Sequence, residues 1–416
     1  MEQYEPDRLS PPQLAAMRRT LSRGRASLTR RSLLRGAGSG ALAVGGLGAL
    51  SSCGIPAATS NSGGVAADDH SRDEKQVNFS NWAEYMDVDE KDKNHRPTLA
   101  AFGKRTGIEV DYAEDINDNV EFFGKIQGQL RAGQDTGRDL ICVTDWLAAR
   151  LIRFGWVQKL DAANLPHAYA NLIPQFRSPS WDPGRAHSYP WTGINTVIAY
   201  NVKATGGKEV TSISQLLDDP KLKGKVGFLS EMRDSVGMTL LDMGKDPADF
   251  KDDDFDAAIA RLQKAVDSKQ IRRFTGNDYT GDLEKGDLAA CVGWAGDIVQ
   301  LAVDNPDIRF HFPDSGYITS SDNLLIPNKA RHKANAEKLI DYYYEPPVAA
   351  ELAAWINYVC PVDGVKPELA KIDKDLADSP LIVPTKEMAA QSHEFRLLDS
   401  KEEKAYEGKF AQLTGA

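Results

Sequence analysis

The sequence predicts an α/β protein of two domains, in which mostly parallel sheets are flanked by helices. Strand and helix signals alternate from residue 76 to about residue 303, and this alternation is typical of a parallel sheet with helices on both faces. Residues 53–416 are also numerous enough to form two domains of ordinary size. No internal repeat interrupts this pattern.

The first half of the chain predicts three strands, each followed by a helix. Gly107 and Gly155 follow two of these helices, and glycine commonly ends a helix in the left-handed conformation. Phe123, Ile126 and Leu130 recur at helical spacing and predict a buried helix face. The predicted elements are strands 77–80, 108–112 and 139–143 and helices 98–106, 119–131 and 146–154.

A second set of strands and helices begins near Thr192. Pro346 and Pro347 separate the last two helices, because proline cannot continue a helix from the preceding turn. The predicted elements are strands 196–200, 226–229, 288–292, 310–312 and 323–326 and helices 212–217, 255–267, 297–303, 334–344 and 348–356.

Residues 1–52 have the features of an export signal. Arg30 and Arg31 precede the uncharged stretch 36–50, which is too short to span a bilayer comfortably as a permanent helix. The arginine pair resembles the twin-arginine motif, and Leu50-Ser51-Ser52-Cys53 resembles a lipobox, whose cysteine is acylated. A buried or amphipathic helix is the alternative. We predict a twin-arginine-type lipoprotein signal peptide over 1–52.

The mature protein then begins at Cys53, with a lipid anchor outside the cytoplasmic membrane. Residues 54–73 contain few large apolar side chains and are rich in Ala, Ser, Gly and Asp. Such a composition does not bury enough apolar surface to fold alone. We therefore predict a flexible tether over residues 53–75.

The charge of the chain favours a cationic partner. The whole chain carries −10, and residues 1–52 contribute eight arginines and three acids, so the remainder carries −15. An acidic protein is a poor partner for nucleic acid and a suitable one for cations, although solubility alone is another reason for such a charge. Beside Cys53, the chain has Cys142, Cys291 and Cys360, in no pattern of zinc ligands.

The motifs of common enzyme classes are absent from the sequence. There is no G-x-S-x-G, H-E-x-x-H, P-loop or Gly-rich dinucleotide motif. Asp115-x-Asn117-x-Asn119 resembles a calcium loop, but Val120 and Ile126 replace the turn glycine and the bidentate glutamate. We expect no catalysis, no cofactor and no bound metal.

Aromatic and acidic residues occur together at the ends of several predicted strands. Ligands of open α/β sheets bind beyond the carboxyl ends of strands, so these side chains are expected to share a crevice. The residues are Trp82, Glu84, Tyr85, Thr144, Asp145, Trp146, Glu231, Asp234, Trp294 and Asp297, together with Asp322 just before strand 323–326.

These residue types suit an elongated organic cation. An aromatic face attracts an alkylammonium group by roughly 0.5–2 kcal/mol and covers methylene groups at about 0.8 kcal/mol each. A carboxylate binds an ammonium group through charge-assisted hydrogen bonds of about 1.5–3 kcal/mol. A long aliphatic polycation needs both kinds of group, spaced along its length.

Each of these residues also has a structural interpretation. Trp82 and Trp146 are alternatively core aromatics, and Asp145 and Asp297 are alternatively helix N-caps. Glu231 and Asp234 would share one face of a helical turn, and a surface pair is the default for that spacing. Arg233 between them predicts a held acidic cluster, in which the guanidinium orients the two carboxylates.

At these positions the chain resembles the spermidine/putrescine-binding proteins of ABC transporters. The resemblance extends from about residue 77 to residue 398. It rests on the motifs Asn81-Trp82-Ala83-Glu84-Tyr85, Glu231-Met232-Arg233-Asp234, Gly293-Trp294-Ala295-Gly296-Asp297 and Asp322-Asn323-Leu324-Leu325-Ile326-Pro327.

The resemblance implies a two-lobed fold of the type II periplasmic-binding-protein kind, with a hinge between the lobes. Lobe 1 would comprise residues 76–192 and 323–362, and lobe 2 residues 193–322 and 363–416. The resemblance further implies a monomer that captures a polyamine and delivers it to an ABC permease and its ATPase. The matching aromatic residues would surround the aliphatic chain, and the matching carboxylates would hold its amino groups.

Three positions depart from the family pattern. Ser320 replaces an aromatic residue of many members, Thr192-Gly193-Ile194 lacks another, and Arg396, beside Phe395, falls where a ligand-binding glutamine is expected. These changes leave open another small amine or amino-acid-like ligand on the same fold. A second alternative is an exported hydrolase that uses Glu231 and Asp234 as acid and base.

Overall fold

The computed structural model describes residues 68–89 and 91–415, and it has a mixed α/β fold of two lobes, as the sequence predicts. The signal peptide, Cys53 and most of the predicted tether lie outside the described residues. The described part contains one curled sheet of ten strands: β1 (Gln76–Trp82), β2 (Glu109–Ile116), β3 (Leu140–Thr144), β4 (Ser188–Asn201), β5 (Val226–Leu229), β6 (Ile271–Thr275), β7 (Ala290–Trp294), β8 (Ile308–His311), β9 (Tyr317–Leu325) and β10 (Ser392–Glu394).

Each lobe contains a parallel group of strands at its centre. In lobe 1, β1 pairs in parallel with β2 and β3. In lobe 2, β5 pairs in parallel with β6 and β7. Because parallel strands share the direction of their carboxyl ends, each group presents its loops at one edge.

Two long antiparallel strands pass between the lobes. Strand β4 pairs with β9 from Ser188 to Asn195 and with β7 and β8 from Thr196 to Asn201. Strand β9 also pairs with β3 of lobe 1 through its second half, and with β10 through its first half. The first half of β4 and the second half of β9 therefore extend the sheet of lobe 1 beyond β3.

Helices cover the sheet on both sides. Within the described residues they are α1 (Pro97–Thr106), α2 (Asn119–Arg131), α3 (Asp145–Arg153), α4 (Pro166–Asn171), α5 (Ile213–Asp218), α6 (Met232–Asp242), α7 (Asp252–Asp267), α8 (Tyr279–Lys285), α9 (Ala295–Asp304), α10 (Lys333–Tyr343), α11 (Pro346–Ile356), α12 (Val365–Ile372), α13 (Lys374–Ala377), α14 (Lys386–Gln391) and α15 (Ser400–Thr414).

The amphipathic helices of lobe 1 follow the sequence prediction closely. Helix α1 ends at Gly107, whose φ of 72° is left-handed, and α11 begins with the two prolines at its first positions. In α2 one prediction is wrong, because Phe122 is fully buried whereas Phe123 is only half-buried. Phe123 instead stacks on Trp156, with ring centroids 6.1 Å apart.

The helices that the sequence analysis missed include α6, which carries part of the candidate site. Residues Met232–Leu241 of this helix are all buried. A helix that is surrounded by protein has no polar face, so the amphipathic pattern that reveals other helices is absent. The sequence analysis also does not predict helices α4, α8, α12, α13, α14 and α15 or strands β6 and β10.

Two segments pack differently from the predicted division of the chain. Residues 69–75, assigned to the tether, are bound to lobe 1, where His70 N–H donates to the Arg331 carbonyl at 2.7 Å and Asp69 accepts from Ala334. Helix α12, assigned to lobe 2, packs against α11 of lobe 1. The C-terminal helix α15 does pack on α7 of lobe 2.

The three cysteines of the described residues are free thiols. Cys142, Cys291 and Cys360 are all buried, and burial raises the pKa of each thiol. Among residues 68–89 and 91–415, no helix has both the length and the apolar character that a bilayer crossing requires.

Candidate functional site

The candidate site lies between the lobes, where the carboxyl ends of β1, β3 and β7 meet β9. Trp82, Thr144 and Trp294 are the last residues of their strands. The antiparallel register pairs Thr144 with Asp322 and Thr196 with Trp294. Sheet geometry alone therefore brings residues from distant parts of the chain to one place.

Most of the sequence-predicted residues line a common space, which we call the narrow cavity. It encloses about 20 Å³, which is room for about one water molecule. From the predicted set it is lined by Trp82, Tyr85, Thr144, Glu231, Asp234, Trp294, Ser320 and Asp322, and it is also lined by Asn119, Ile194 and Asn277.

Aromatic rings form the walls of the narrow cavity. Trp82 and Tyr85 have ring centroids 6.5 Å apart, and Trp294 packs edge-on against Tyr279 at 6.1 Å. Trp82, Tyr85 and Trp294 are each at least nine-tenths buried. Tyr358 stands behind Tyr85 at 5.2 Å. Trp82 is buried, as the core-aromatic interpretation requires, and it also lines the cavity.

Two carboxylates of lobe 2 reach the narrow cavity from the start of α6. Glu231 accepts hydrogen bonds from Asn119 Nδ2 at 2.9 Å and from Trp146 Nε1 at 3.2 Å. Burial, helped by the charge of Asp118, raises the pKa of Glu231 to about 8. Asp234 accepts from the Thr196 hydroxyl, and burial raises its pKa to about 6.

A third carboxylate enters from β9, the strand that passes between the lobes. Asp322 accepts a hydrogen bond from Thr144 Oγ1 at 2.7 Å. Burial raises the pKa of Asp322 to about 7, and the charges of Asp145 and Asp234 act in the same direction.

A fourth carboxylate, Asp297, lies just outside the lining of the narrow cavity. It accepts from the hydroxyls of Tyr358 at 2.7 Å and Tyr279 at 3.0 Å, and from Asn277 Nδ2 at 3.0 Å. Burial raises its pKa to about 6. Gly296 makes this arrangement possible, because a Cβ there would lie 2.2 Å from Cε2 of Tyr358.

These four carboxylates have no cationic partner among the described residues. Every group that donates to Glu231, Asp234, Asp322 or Asp297 is a neutral amide, hydroxyl or indole. Buried carboxylates of ordinary proteins are paired with a cation or a metal, because an isolated buried charge is costly. The site is therefore arranged to receive positive charge.

Trp146 is placed differently from the other predicted aromatic residues. Its indole donates to Glu231, but Arg233 and Arg150 lie over the ring at 4.2 Å and 4.8 Å from the centroid. The ring is therefore already engaged with two cations of the protein. Trp146 thus holds Glu231 by a hydrogen bond and lines the larger neighbouring space instead of the narrow cavity.

The predicted role of Arg233 is wrong. Its guanidinium contacts Glu403 at 3.5 Å and Glu407 at 3.8 Å, both on the C-terminal helix α15. It does not form an ion pair with Glu231 or Asp234. Glu231 and Asp234 thus lack a direct ion pair with Arg233, although its nearby charge acts to lower the pKa of both carboxyl groups.

The N-cap alternative for two aspartates is also wrong. The N-cap residues of α3 and α9 are Thr144 and Trp294, not Asp145 and Asp297. Asp145 accepts from the backbone amides of Trp146 at 2.7 Å and Ser321 at 3.3 Å.

Glu84 is exposed in a left-handed conformation with φ of 60° and does not line the narrow cavity.

A second space, the side chamber, lies beside the narrow cavity and encloses about 490 Å³. Thr144, Asp234 and Ser320 line both spaces. The other predicted residues that line the side chamber are Asp145, Trp146, Phe395 and Arg396. Arg396 is bound to Glu402 by two hydrogen bonds of 2.8 and 3.0 Å. Its charge is therefore already matched within the protein.

Several supporting residues were missed from the sequence. Asn119 belongs to the motif that resembles a calcium loop. Its side-chain Nδ2 donates hydrogen bonds to Thr144 Oγ1 at 2.8 Å and to Glu231 Oε1 at 2.9 Å. Tyr279 and Tyr358 hold Asp297 from elements that no local motif marks. The one local signal is the group of Asn and Asp at residues 115–119, which resembles a calcium loop but lacks its glycine and glutamate.

Comparison with known proteins shows what the chain as a whole is similar to. The family model described as bacterial extracellular solute-binding protein matches residues 98–383. The putrescine-binding periplasmic protein PotF of Escherichia coli is 29% identical over 346 residues, which cover 79% of this chain and 88% of that protein. The spermidine/putrescine-binding periplasmic protein of Escherichia coli is 27% identical over 292 residues, which cover 70% and 79%.

A solved structure shares the fold over nearly its whole length. The spermidine/putrescine ABC transporter substrate-binding protein of Streptococcus pneumoniae superposes with a TM-score of 0.66 at 20% identity. The superposition covers 82% of this chain and 98% of that one.

Proposed function

The chain belongs to the family of bacterial extracellular solute-binding proteins, and from that premise we propose that it captures a polyamine for an ABC importer. The ligand would lie in the narrow cavity, with its carbon chain along Trp82, Tyr85 and Trp294. Its ammonium groups would bind the carboxylates of that space. The similar proteins of Escherichia coli are named for the binding of putrescine and spermidine.

The observation that carries the proposal is the group of buried carboxylates without a cation. Glu231, Asp234, Asp322 and Asp297 are held by neutral donors, and burial raises the pKa of each. A ligand with two or more ammonium groups supplies the missing positive charge at several points. Aromatic walls between the acids then favour a flexible aliphatic chain over a metal ion.

Ligand entry requires the lobes to separate. The narrow cavity has room for about one water molecule, which is far less than a polyamine occupies. Strands β4 and β9 pass between the lobes and are the connections about which an opening motion would turn. Affinity is then reduced by the fraction of the free protein that is not competent to bind.

The proposal extends to the location and the partners of the protein. As a member of an extracellular family the protein is exported, and the lipobox-like sequence at Cys53 supports a lipid anchor on the outer face of the cytoplasmic membrane. An ABC permease and its ATPase would receive the ligand from a monomer. No catalytic step is needed, because the cavity acids act as binding groups.

Calorimetric titration with putrescine, spermidine and spermine tests the polyamine proposal. We expect saturable binding of at least one of them at a ratio of one ligand per chain. The absence of heat and of any thermal shift with all three would overturn it. Asp322→Asn is the companion variant, because it keeps the hydrogen bond to Thr144 and removes one charge.

Two alternatives lead to different results in the same experiments. A small amine or amino-acid-like ligand would be recovered by native mass spectrometry of protein purified without denaturation. A hydrolase would consume a substrate on incubation, whereas a binding protein returns its ligand unchanged. Tight reversible binding without turnover separates the proposed function from the hydrolase.

A further inference from the structure

The loop before α2 and the first residue of that helix contact lobe 2. They belong to the motif that resembles a calcium loop, and they meet the segments that directly follow β5 and β6. We call this meeting of the lobes the closure contact. It consists of Asn117, Asp118 and Asn119 of lobe 1 and Ser230, Glu231 and Gly276 of lobe 2.

Lobe 1 holds its own side of the closure contact in place. The Arg138 guanidinium donates to the Asp115 carboxylate at 2.5 Å. Asp118 Oδ1 accepts from the backbone amides of Val120 at 2.8 Å and Glu121 at 3.1 Å, so Asp118 is the N-cap of α2. The loop therefore presents fixed polar atoms to lobe 2.

Two hydrogen bonds cross the closure contact. Ser230 Oγ donates to Asp118 Oδ2 at 3.1 Å, so the carboxylate that caps α2 also binds lobe 2. Asn119 Nδ2 donates to Glu231 Oε1 at 2.9 Å. Ser230 and Asp118 line neither the narrow cavity nor the side chamber. Their hydrogen bond therefore joins the lobes outside the space in which the ligand is proposed to lie.

The backbones of the two lobes approach each other closely at Gly276, the residue directly after β6. Gly276 is buried, and a Cβ at this position would lie 3.0 Å from the carbonyl oxygen of Asn117. That separation is shorter than ordinary van der Waals contact. The φ of Gly276 is not in the left-handed region that favours glycine. The close approach of lobe 1 is therefore the structural reason for a glycine here.

A side chain at position 276 would oppose closure without opposing the open arrangement. When the lobes separate, Gly276 moves away from Asn117, and an added methyl group no longer meets that carbonyl oxygen. The apparent affinity of a ligand falls in proportion to the fraction of the protein that is competent to bind it. A change at the closure contact should therefore act on affinity from outside the cavity.

We propose that Gly276 is a positioning residue, which sets polyamine affinity by allowing the lobes to close completely, and that the hydrogen bond between Ser230 and Asp118 supports the same closure. The inference rests on the proposed polyamine function. Neither Gly276 nor Asn117 lines the narrow cavity, so both act through the distance between the lobes. Loss of closure should then weaken the binding of every polyamine by the same factor.

Calorimetric titration of Gly276→Ala with putrescine, spermidine and spermine tests the inference. We expect the affinity for each polyamine that the unaltered protein binds to fall about 30-fold, because an added methyl group overpacks the closed arrangement. The ratios among the polyamines should not change. The loss should appear in the dissociation rate, measured by stopped-flow tryptophan fluorescence, because the open lobes still admit the ligand.

Gly128→Ala is the matched control for the added methyl group. Gly128 is exposed on α2, and a Cβ there would meet nothing within 4 Å. Its affinities should equal those of the unaltered protein. Ser230→Ala is the second test variant, because it removes the hydrogen bond to Asp118 and adds no atom that could prevent folding. It should weaken each polyamine about fivefold.

Two kinds of result would overturn the inference while the polyamine function stands. One is an affinity in Gly276→Ala or in Ser230→Ala that equals that of the control. The other is a loss that differs from one polyamine to the next, since it would indicate a direct contact with the ligand. Failure of every polyamine to bind the unaltered protein would instead overturn the proposed function.

Discussion

Two groups of charged residues lie close together in this protein, and they differ in whether their charges are paired with opposite charges of the protein. The first, which we call the cavity acids, consists of Glu231, Asp234 and Asp322, which line the narrow cavity, and the neighbouring Asp297. None of these four acids forms an ion pair within the part of the chain that the structure describes. The second, which we call the interlobe cluster, consists of Arg150, Arg153, Arg233, Glu403 and Glu407, and its charges of opposite sign are in contact. The comparison separates charge that serves the fold from charge that serves a ligand.

The interlobe cluster joins the lobes through Glu403. Arg150 and Arg153 come from α3 of lobe 1, whereas Arg233 and Glu403 come from α6 and α15 of lobe 2. Arg150 Nε lies 3.4 Å from Glu403, and the Arg153 guanidinium also contacts that carboxylate. Glu403 is 6% exposed, so these contacts are little screened by solvent. Matched charges of this kind hold neighbouring elements in one arrangement.

The largest expected effect comes from breaking the interlobe cluster. Glu403→Gln leaves the buried guanidinium groups of Arg150 and Arg233, and the exposed one of Arg153, with less negative charge. Breaking a buried ion pair from one side typically costs about 3–5 kcal/mol. We expect a loss of about 3 kcal/mol in the free energy of unfolding, measured by urea titration without ligand. An unchanged unfolding midpoint would contradict the structural role of this cluster.

The second-largest effect is expected when one of the cavity acids loses its charge. This change should weaken ligand binding without destabilising the fold. Asp322→Asn should lower polyamine affinity about 100-fold, since removing one partner of a buried charge pair costs about 2–5 kcal/mol in binding. The ligand-free variant should be as stable as the parent or more stable, because a repelling buried charge is gone. Urea titration and calorimetry on the same sample check both parts. If Asp322→Asn lowered the free energy of unfolding as much as Glu403→Gln, the cavity acids would stabilise the fold in the same way as the interlobe cluster, and this would contradict the comparison.

The pH dependence sharpens the comparison further. Because burial raises the pKa of Glu231 to about 8 and of Asp322 to about 7, the folded ligand-free protein holds more protons than the unfolded chain between about pH 4 and 8. Its free energy of unfolding should therefore fall as the pH rises through that window. Polyamine affinity should rise at least about 100-fold from pH 5.5 to 8, because a cation binds the ionised acids. A polyamine affinity that does not change between pH 5.5 and 8 would contradict this prediction.

The smallest expected effect tests the aromatic wall. Trp294→Ala removes a ring that lines the narrow cavity, and the loss of one cation–π contact and its covered methylene groups should weaken binding about tenfold. Trp355→Ala is the control, since Trp355 is a partly buried tryptophan of α11 that lines neither space. Unaltered affinity in Trp294→Ala would remove that side chain from the site.

The sequence predicts the cavity acids better than the interlobe cluster. Trp82 and Tyr85, or Trp294 and Asp297, are close neighbours at strand ends, so a local pattern indicates them. The partner of Arg233 is 170 residues away, and the hydroxyl that holds Asp297 comes from Tyr358, 61 residues away. No local pattern encodes such contacts, and the nearest acids in sequence, Glu231 and Asp234, suggested the wrong partner for Arg233.

The prediction of secondary structure is limited in the same way, because it also depends on local patterns in the sequence. Helices with one polar face, such as α1 and α2, are visible in the sequence because their apolar residues recur at helical spacing. Helix α6 is buried along its whole length and has no such spacing. Its position was nevertheless partly indicated, because Glu231 and Asp234 were expected to share one face of a turn.

The release of protons on binding tests the central claim most directly. The claim is that buried carboxylates without a partner in the protein are neutralised by a polyamine. Titration with spermidine at pH 6.5, repeated in two buffers of different ionisation enthalpy, gives the number of protons released. We predict about one or two protons per bound ligand, because acids with raised pKa values must ionise to bind it. Binding without proton release would contradict the account.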